Sequence, residues 1–191
     1  MVFFFVKKLK IFLLFDILRR FSTLSGVIRM VNFGKREVLC MDSYEINKDT
    51  VALIPKDENT TIVYEVDNSF VINKPTLKIV EESCEYFGSS LEGRQIGTSS
   101  LVGFTHKVPV IIEETFDLIF FPTQSPKNSD CAWLSYQHIF KPDAFKDKTI
   151  IELKNGKKII VNVSTPVIHN QLYRCSRLKE TLLLRKIDKN N

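Results

Sequence analysis

An Asn-Gly pair between two β-branched runs constrains the fold of this chain more than any other local feature. Asn155 and Gly156 separate a run that begins TIIEL at Thr149 from the run KKIIVNV that ends at Val163. Asn-Gly is the strongest short-range hairpin signal, because a type I′ turn requires positive φ at both central residues. The sequence therefore predicts a tight antiparallel hairpin over 149–163.

Short apolar runs bounded by turn residues predict further strands along the chain. They cover 50–54, 60–66, 69–73, 108–112, 118–121 and 131–139. The second and third of these runs form one predicted hairpin, and the fourth and fifth form another. A chain of 191 residues is long enough for one domain with a substantial core, and too short for two comfortable ones.

Helical periodicity is found at two places. Leu77, Val80, Cys84 and Phe87 fall on one helical face, which predicts a helix over 75–87 that ends at the following glycine. From Pro166 onward, a second apolar face predicts a terminal helix, with Leu172, Cys175, Leu178 and Leu182 on that face. We therefore predict a single-domain α+β fold with antiparallel β hairpins or sheet, one internal helix and a C-terminal helix.

The net charge of +5 is distributed unevenly. Residues 1–40 hold 8 Lys/Arg and 2 Asp/Glu, residues 41–140 hold 7 and 15, and residues 141–191 hold 12 and 5. A DNA-binding protein needs a local basic face more than a basic total, and the C-terminal third could supply one. A solvated, Lys-rich hairpin and helix would explain the same charges.

The sequence does not favour an enzyme or a metal site. It contains no G-x-S-x-G, H-E-x-x-H or P-loop motif, so we predict no catalytic residues. Structural zinc ligands usually come as closely spaced pairs, and among Cys84, His106, Cys131 and His138 only the last two lie close together. We predict no metal and no cofactor. The four scattered cysteines, without a C-x-x-C pair, fit a reducing cytoplasm.

A Gly/Ser-rich stretch surrounds Arg94 within residues 83–122. Glycine and serine let backbone amides approach a ligand closely, and arginine is a fork-shaped donor for phosphate or a base edge. We interpret this stretch as a loop that carries a weak anion-site signal.

As a whole string, the chain resembles the bacterial competence transcription factor family, ComK. The likeness begins near Ser43-Tyr44-Glu45, and no single motif carries it. The residues that carry it are Cys84-x-x-Phe87-Gly88-Ser89-Ser90-x-x-Gly93-Arg94-x-x-Gly97-Thr98, His106-Lys107-x-Pro109, Phe121-Pro122-Thr123, Cys131-Ala132-Trp133-Leu134-Ser135, Asn155-Gly156-Lys157 and Asn170-Gln171-x-Tyr173-Arg174.

This resemblance implies a cytoplasmic, DNA-binding activator of the genes for DNA uptake. Such a protein binds AT-rich promoter boxes as an oligomer, a dimer or tetramer, and recruits or stabilises RNA polymerase. Family members can carry a longer C-terminal tail that is used by an adaptor of a Clp-type protease. Because this chain stops at Asn191, we expect adaptor-controlled degradation either not to apply or to use another surface. The alternative is a non-activating interaction or regulatory member of the family.

The first forty residues are apolar and basic, and charges such as Lys10, Asp16 and Arg19 interrupt them. A spanning helix needs about 20 mostly apolar residues. We predict that 1–40 are a non-family extension, with a start at Met30 or Met41 also available, and that 41–191 form the ComK-like DNA-binding domain. An amphipathic helix on a membrane surface remains an alternative for the extension.

An AT preference suits minor-groove or shape readout, because AT-rich tracts narrow that groove and attract arginine. The predicted DNA-binding residues are Arg94, Lys107, His106, Arg174, Arg177, Ser89 and Ser90. Each has a structural alternative. Arg94 could cap a helix or pair with Glu92 or Glu85, and Arg174 could be tethered internally. Trp133 is more typical of a buried core residue than of a base-stacking one.

Overall fold

The computed structural model describes residues 29–33 and 36–188, with side chains from Met41 onward. Within these residues the chain forms an α+β fold of two sheets and three α-helices. The strands are β1 Arg29–Phe33, β2 Arg36–Met41, β3 Thr50–Asp57, β4 Thr60–Glu65, β5 Ser69–Ile72, β6 Val110–Glu113, β7 Leu118–Pro122, β8 Trp133–Ser135, β9 Ile139–Phe145, β10 Lys148–Leu153 and β11 Lys158–Val161. The helices are α1 Thr76–Tyr86, α2 Leu91–Val102 and α3 Thr165–Asp188. The α+β prediction is therefore confirmed.

The larger sheet has the strand order β1-β2-β5-β4-β3-β8-β7-β6. Its pairs are antiparallel except β2 with β5, which run parallel through Cys40 opposite Val71 and Met41 opposite Ile72. The β4–β5 and β6–β7 hairpins match the two that the sequence predicted. Most of the predicted extension 1–40 lies outside the described residues, so its nature stays a prediction.

The smaller sheet contains β9, β10 and β11, and the Asn-Gly hairpin joins the last two of these strands. The hairpin is confirmed, but its turn differs from the predicted type I′. Only Gly156 of the pair has positive φ, at +79°, and its amide donates to the Leu153 carbonyl at 2.9 Å. A three-residue loop with one left-handed glycine is compatible with the right-handed twist of the two strands, as is a two-residue type I′ turn. Asn155 instead uses its side-chain amide to reach the Val66 carbonyl at 3.0 Å.

The Gly/Ser-rich stretch is a helix rather than the loop that the sequence predicted. Ser90 caps the N-terminus of α2 by accepting a hydrogen bond from the Gly93 amide at 3.0 Å. Gly103 ends the helix in the left-handed conformation, with φ of +74°. Buried Leu91 and Thr98 anchor the helix between these caps. The two capped ends and the two buried side chains thus stabilise α2 despite the low helix propensity of its interior glycines.

The run 131–139 is also divided, because only Trp133–Ser135 form a strand of the larger sheet. A single 3₁₀ turn at Tyr136–His138 then leads the chain into β9 of the smaller sheet. The predicted helix over 75–87 and the predicted terminal helix correspond to α1 and α3.

The larger sheet separates two hydrophobic clusters. One lies on the side of α1 and contains Leu53, Phe120 and Trp133. The other lies on the side of α3 and the smaller sheet, and it contains Ala52, Phe121 and Leu134. Neighbouring residues of a strand point to opposite faces, so β7 and β8 supply both clusters and are buried throughout. Trp133 is a core residue, as the sequence favoured.

Candidate nucleic-acid interface

The loop 103–109 is the part of the surface where several predicted residues meet. Lys107 in this loop takes a left-handed backbone conformation, with φ of +49°, and both His106 and Lys107 are exposed. A left-handed conformation at a lysine carries a steric cost, so neighbouring contacts must hold it.

Helix α3 supplies those contacts. The Gln171 side-chain amide donates to the Lys107 carbonyl at 3.0 Å and to the Pro122 carbonyl at 2.6 Å. The Arg174 guanidinium donates to the His106 carbonyl, and its carbon lies 5.0 Å from the centre of the Phe104 ring. The loop is therefore fixed by one buried amide and one arginine of α3, and it presents the side chains of His106 and Lys107 outward.

Arg174 thus has the internal tether that the sequence gave as an alternative to DNA contact. Its Nε is buried without a hydrogen-bond partner. Arg177, one turn further along α3, is exposed and forms an ion pair with Glu180 at 2.6 Å. The two arginines of α3 are therefore unequal, because one holds the loop and the other lies at the surface.

Arg94 lies on α2 rather than on a loop, and it is half-buried. Among residues 41–188 its side chain forms no hydrogen bond or ion pair, and its buried Nε has no partner. It therefore makes neither of the ion pairs, with Glu92 or Glu85, that the sequence allowed. Burial raises the pKa of the Cys84 thiol to about 11, and the positive charge of Arg94 opposes that rise.

Three small residues lie on the outer face of α2, beside Ile96, which is 60% exposed. Gly93, Gly97 and Ser100 are exposed and follow one another at intervals of four and three residues, which places them on one side of the helix. A Cβ built on Gly97 meets no atom within 4 Å. Arg94, three residues before Gly97, borders this face. The helix backbone is accordingly open to close approach by a ligand.

The two predicted serines take structural positions. Ser90 is the N-cap of α2, and the amide of Ser89 donates to the Cys84 carbonyl at 3.0 Å, which helps to end α1. Neither observation tests a contact with DNA.

An open groove of about 1000 Å³ runs between α1, α2 and the loops at 105–108 and 125–127. His106, Lys107 and Lys127 are its basic lining residues. Glu81 and Glu92 also line it. Lys127 and Gln171 were not among the predicted residues. The Pro-Lys turn and the Asn-Gln pair were visible in the sequence, but their nearness to Lys107 depends on the tertiary fold.

The basic C-terminal third is not an uninterrupted cationic face. On α3, Lys179 pairs with Asp117 at 2.8 Å and Lys186 pairs with Glu114 at 3.1 Å. In the smaller sheet, Lys141 pairs with Asp143 at 3.3 Å and Lys158 with Glu152 at 3.8 Å. Of these four acidic residues, only Asp117 and Glu114 come from outside 141–191, so the pairing lowers the positive excess of this region by two charges.

Cysteine and histidine do not converge within the described part of the chain. Cys84, Cys131 and Cys175 are free and buried, and burial raises the pKa of each thiol. Residues 41–188 contain no group of three His, Cys, Asp or Glu side chains that could hold a metal ion. Burial lowers the pKa of His138, whose Nδ1 lies 2.9 Å from the Ser135 hydroxyl. In the described residues, no helix is both long and apolar enough to cross a membrane.

The fold and this surface define an α+β protein with an exposed basic loop beside an open, glycine-rich helix. Residues 41–186 match the family described as ComK protein, and the chain belongs to that family. It is 35% identical over 144 residues to the competence transcription factor of Bacillus subtilis (strain 168), an alignment that covers 73% of this chain and 74% of that protein. No solved structure matches the chain.

Proposed function

We propose that this protein is a DNA-binding transcription factor that activates competence genes in the cytoplasm. Membership of the ComK family across residues 41–186 carries the proposal, and the related competence transcription factor of Bacillus subtilis supports it. The proposed targets are AT-rich promoter boxes, bound by a dimer or tetramer that then recruits RNA polymerase. Paired boxes favour a symmetric protein, because each half-site is then read by an equivalent surface.

The proposed contact surface combines the open face of α2 with the loop that follows it. Lys107 and His106 are exposed on the loop, and Arg94 borders the small-residue face of α2. Positive side chains fix a protein on phosphates, whereas an arginine in a narrow minor groove reads its AT-dependent shape. In this proposal Lys107 contacts a phosphate and Arg94 enters the minor groove. Because Gly97 has no side chain, α2 can approach the DNA closely at that position.

Arg174 acts in this proposal as a positioning residue. Its hydrogen bond to the His106 carbonyl and its contact with Phe104 hold the loop in place. Its loss should weaken DNA binding by releasing the loop, whereas loss of Lys107 removes one phosphate contact. Arg177, Ser89 and Ser90 complete the proposed set.

Fluorescence anisotropy on AT-rich and GC-rich duplexes, measured across a salt series, tests the proposal. Tighter binding to the AT-rich duplex with a steep salt dependence is the expected result. Lys107→Ala should weaken binding to both duplexes and reduce the salt slope by about one, because one counterion fewer is released. Arg94→Ala should instead reduce the AT preference.

Lys48→Ala is the matched control, since Lys48 is an exposed lysine outside the proposed surface. Its affinity and salt slope should equal those of the wild type. Absence of binding by the folded wild-type protein would refute the activator assignment. Equal losses for the Lys48 and Lys107 variants would mean that the contact surface lies elsewhere.

A further inference from the structure

Four large apolar side chains are exposed together at the C-terminal end of α3. Phe116 in the β6–β7 turn is 59% exposed, and Leu183, Leu184 and Ile187 are 57%, 55% and 49% exposed. The ion pairs Lys179–Asp117 and Lys186–Glu114 hold this turn alongside the helix, next to Leu183. Ile187 is four residues from Leu183 and three from Leu184, so the apolar surface continues from the turn to the solvent side of the helix. We call these four residues the C-terminal patch.

A small pocket adjoins the C-terminal patch. Its volume is about 260 Å³, and Ile111, Ile119, Leu182 and Leu183 form its apolar lining. The four charged residues of the two ion pairs border it. The surface thus offers a hollow beside a projecting aromatic side chain, since Phe116 lies in the same turn as Asp117.

We propose that the C-terminal patch is the surface through which two copies of this chain associate about a twofold axis. Its partner is a second copy because the two features are self-complementary. In a twofold interface every contact occurs twice. A side chain that enters a pocket of the second copy is therefore matched by the same side chain of that copy, which enters the pocket of the first. A projecting Phe116 next to an apolar pocket meets that requirement within one surface.

The apolar area of the C-terminal patch and the charges around it are compatible with a second copy of the chain as the partner. From its exposed fractions, the C-terminal patch presents on the order of 400 Å² of apolar surface, within the range of functional patches. A standard interface buries about 800 Å² per partner and is about 60% apolar. The apolar area of the C-terminal patch is therefore close to the apolar area that one partner of such an interface buries. The rim carries both signs, because Glu114, Asp117 and Glu180 form ion pairs within the chain with Lys186, Lys179 and Arg177. These pairs balance the charge of the rim, so a second copy of the chain meets little net repulsion there.

This inference rests on the oligomer in the proposed function and supplies a surface for it. The Gly/Ser face of α2 is not part of the C-terminal patch, so association and DNA contact use different residues. A dimer built in this way leaves both copies of the loop 103–109 available for two promoter boxes.

Sedimentation equilibrium of the full chain across a concentration series tests the proposal. Phe116→Ser and Leu184→Ser should each weaken the dimer by about tenfold or more, as expected for side chains at the centre of an interface. Because both residues are more than half exposed, the folded state should tolerate these changes. Phe140→Ser is the matched control, since Phe140 is 65% exposed on β9 and should leave the dimer constant unchanged.

Cross-linking provides a second readout. Leu184→Cys should form a disulfide-linked dimer under mild oxidation, and Phe140→Cys should not. A wild-type protein that stays monomeric at all concentrations would overturn the proposal, as would a dimer that only the Phe140 change dissociates. Binding of the dissociated variants to a single-box duplex separates the two claims. Retained binding shows that DNA recognition stands without the C-terminal patch, and a wild-type dimer without DNA binding would refute only the proposed function.

Discussion

Replacement of Gly97 by alanine should stabilise the protein and weaken its DNA binding. Gly97 lies inside α2 without positive φ, and a Cβ at this position meets no atom within 4 Å. Alanine should therefore be accommodated without strain. Interior glycine costs about 1 kcal/mol of helix stability relative to alanine, so the free energy of unfolding should rise by about that amount. For a chain of this length, the thermal midpoint should increase by about 2–4 °C.

The effect on DNA should have the opposite sign. If α2 approaches the phosphates or the groove closely, the added methyl group keeps the helix further from the DNA. Loss of about 1.4 kcal/mol at this contact corresponds to an affinity about tenfold weaker. Gly97→Leu should weaken binding further, because a larger side chain holds the helix further from the DNA.

Thermal unfolding and anisotropy on the AT-rich duplex, performed on the same preparations, provide the assay. Ser176→Ala on the exposed side of α3 is the matched control, since it improves helix propensity without changing α2. It should raise stability slightly and leave affinity unchanged. A Gly97→Ala protein that is more stable and binds DNA as tightly as the wild type would refute close approach by α2.

Three further predictions concern caps, tethers and pH. Ser90→Ala removes the side-chain cap of α2 and should reduce the free energy of unfolding by about 1 kcal/mol in urea titrations, whereas Ser90→Asp should restore it. Gln171→Leu leaves the Lys107 and Pro122 carbonyls without their donor, so stability should fall by about 1–3 kcal/mol, with faster amide exchange around 107–108 than elsewhere. The pKa of the Cys84 thiol is raised from 9.0 to about 11, so its contribution to stability is complete below pH 9 and disappears as the pH rises to 11. Cys84 should contribute about 2–3 kcal/mol to the fall in unfolding free energy across that interval, in addition to Cys131, Cys175 and Tyr44, whose pKa values burial also raises. The fall should therefore be smaller by about that amount in Cys84→Ala, and an identical profile would mean that other groups dominate alkaline unfolding.

The elements predicted correctly are those whose signal is local. The 149–163 hairpin, α1 and α3 each follow from residues that are neighbours in sequence, namely a turn pair or one apolar helical face. The turn type was wrong because the hairpin closes with a three-residue loop in which only Gly156 has positive φ, while Asn155 donates its side-chain amide to Val66 across 89 residues. Such a partner cannot be read from the turn itself.

Helix α2 was missed for a different reason. Glycine and serine have low helix propensity, and the stretch lacks a continuous apolar face, so its composition resembled a loop. The decisive signals were the Ser90 cap, three residues before Gly93, and the terminal Gly103. The sequence placed Arg94, His106, Lys107 and Arg174 in one candidate site from family resemblance. The hydrogen bond by which Arg174 holds the loop of His106 depends on the tertiary structure, because the two residues are 68 positions apart in sequence.

The position of β8 has a consequence for how the chain folds. Ala52 and Leu53 of β3 pair with Leu134 and Trp133 of β8. The free edge of the β3–β4 hairpin therefore stays unpaired until the ribosome has added some eighty further residues. During that interval the nascent chain presents an unpaired strand edge, most of the cluster on the side of α1 and only a few residues of the other cluster, which favours association with other chains or with chaperones. Because the 3₁₀ turn at Tyr136–His138 leads directly from β8 into the second sheet, closure of that edge also begins assembly of the other core. Both cores should consequently be completed in one late, cooperative step that is slow because its contacts are distant in sequence.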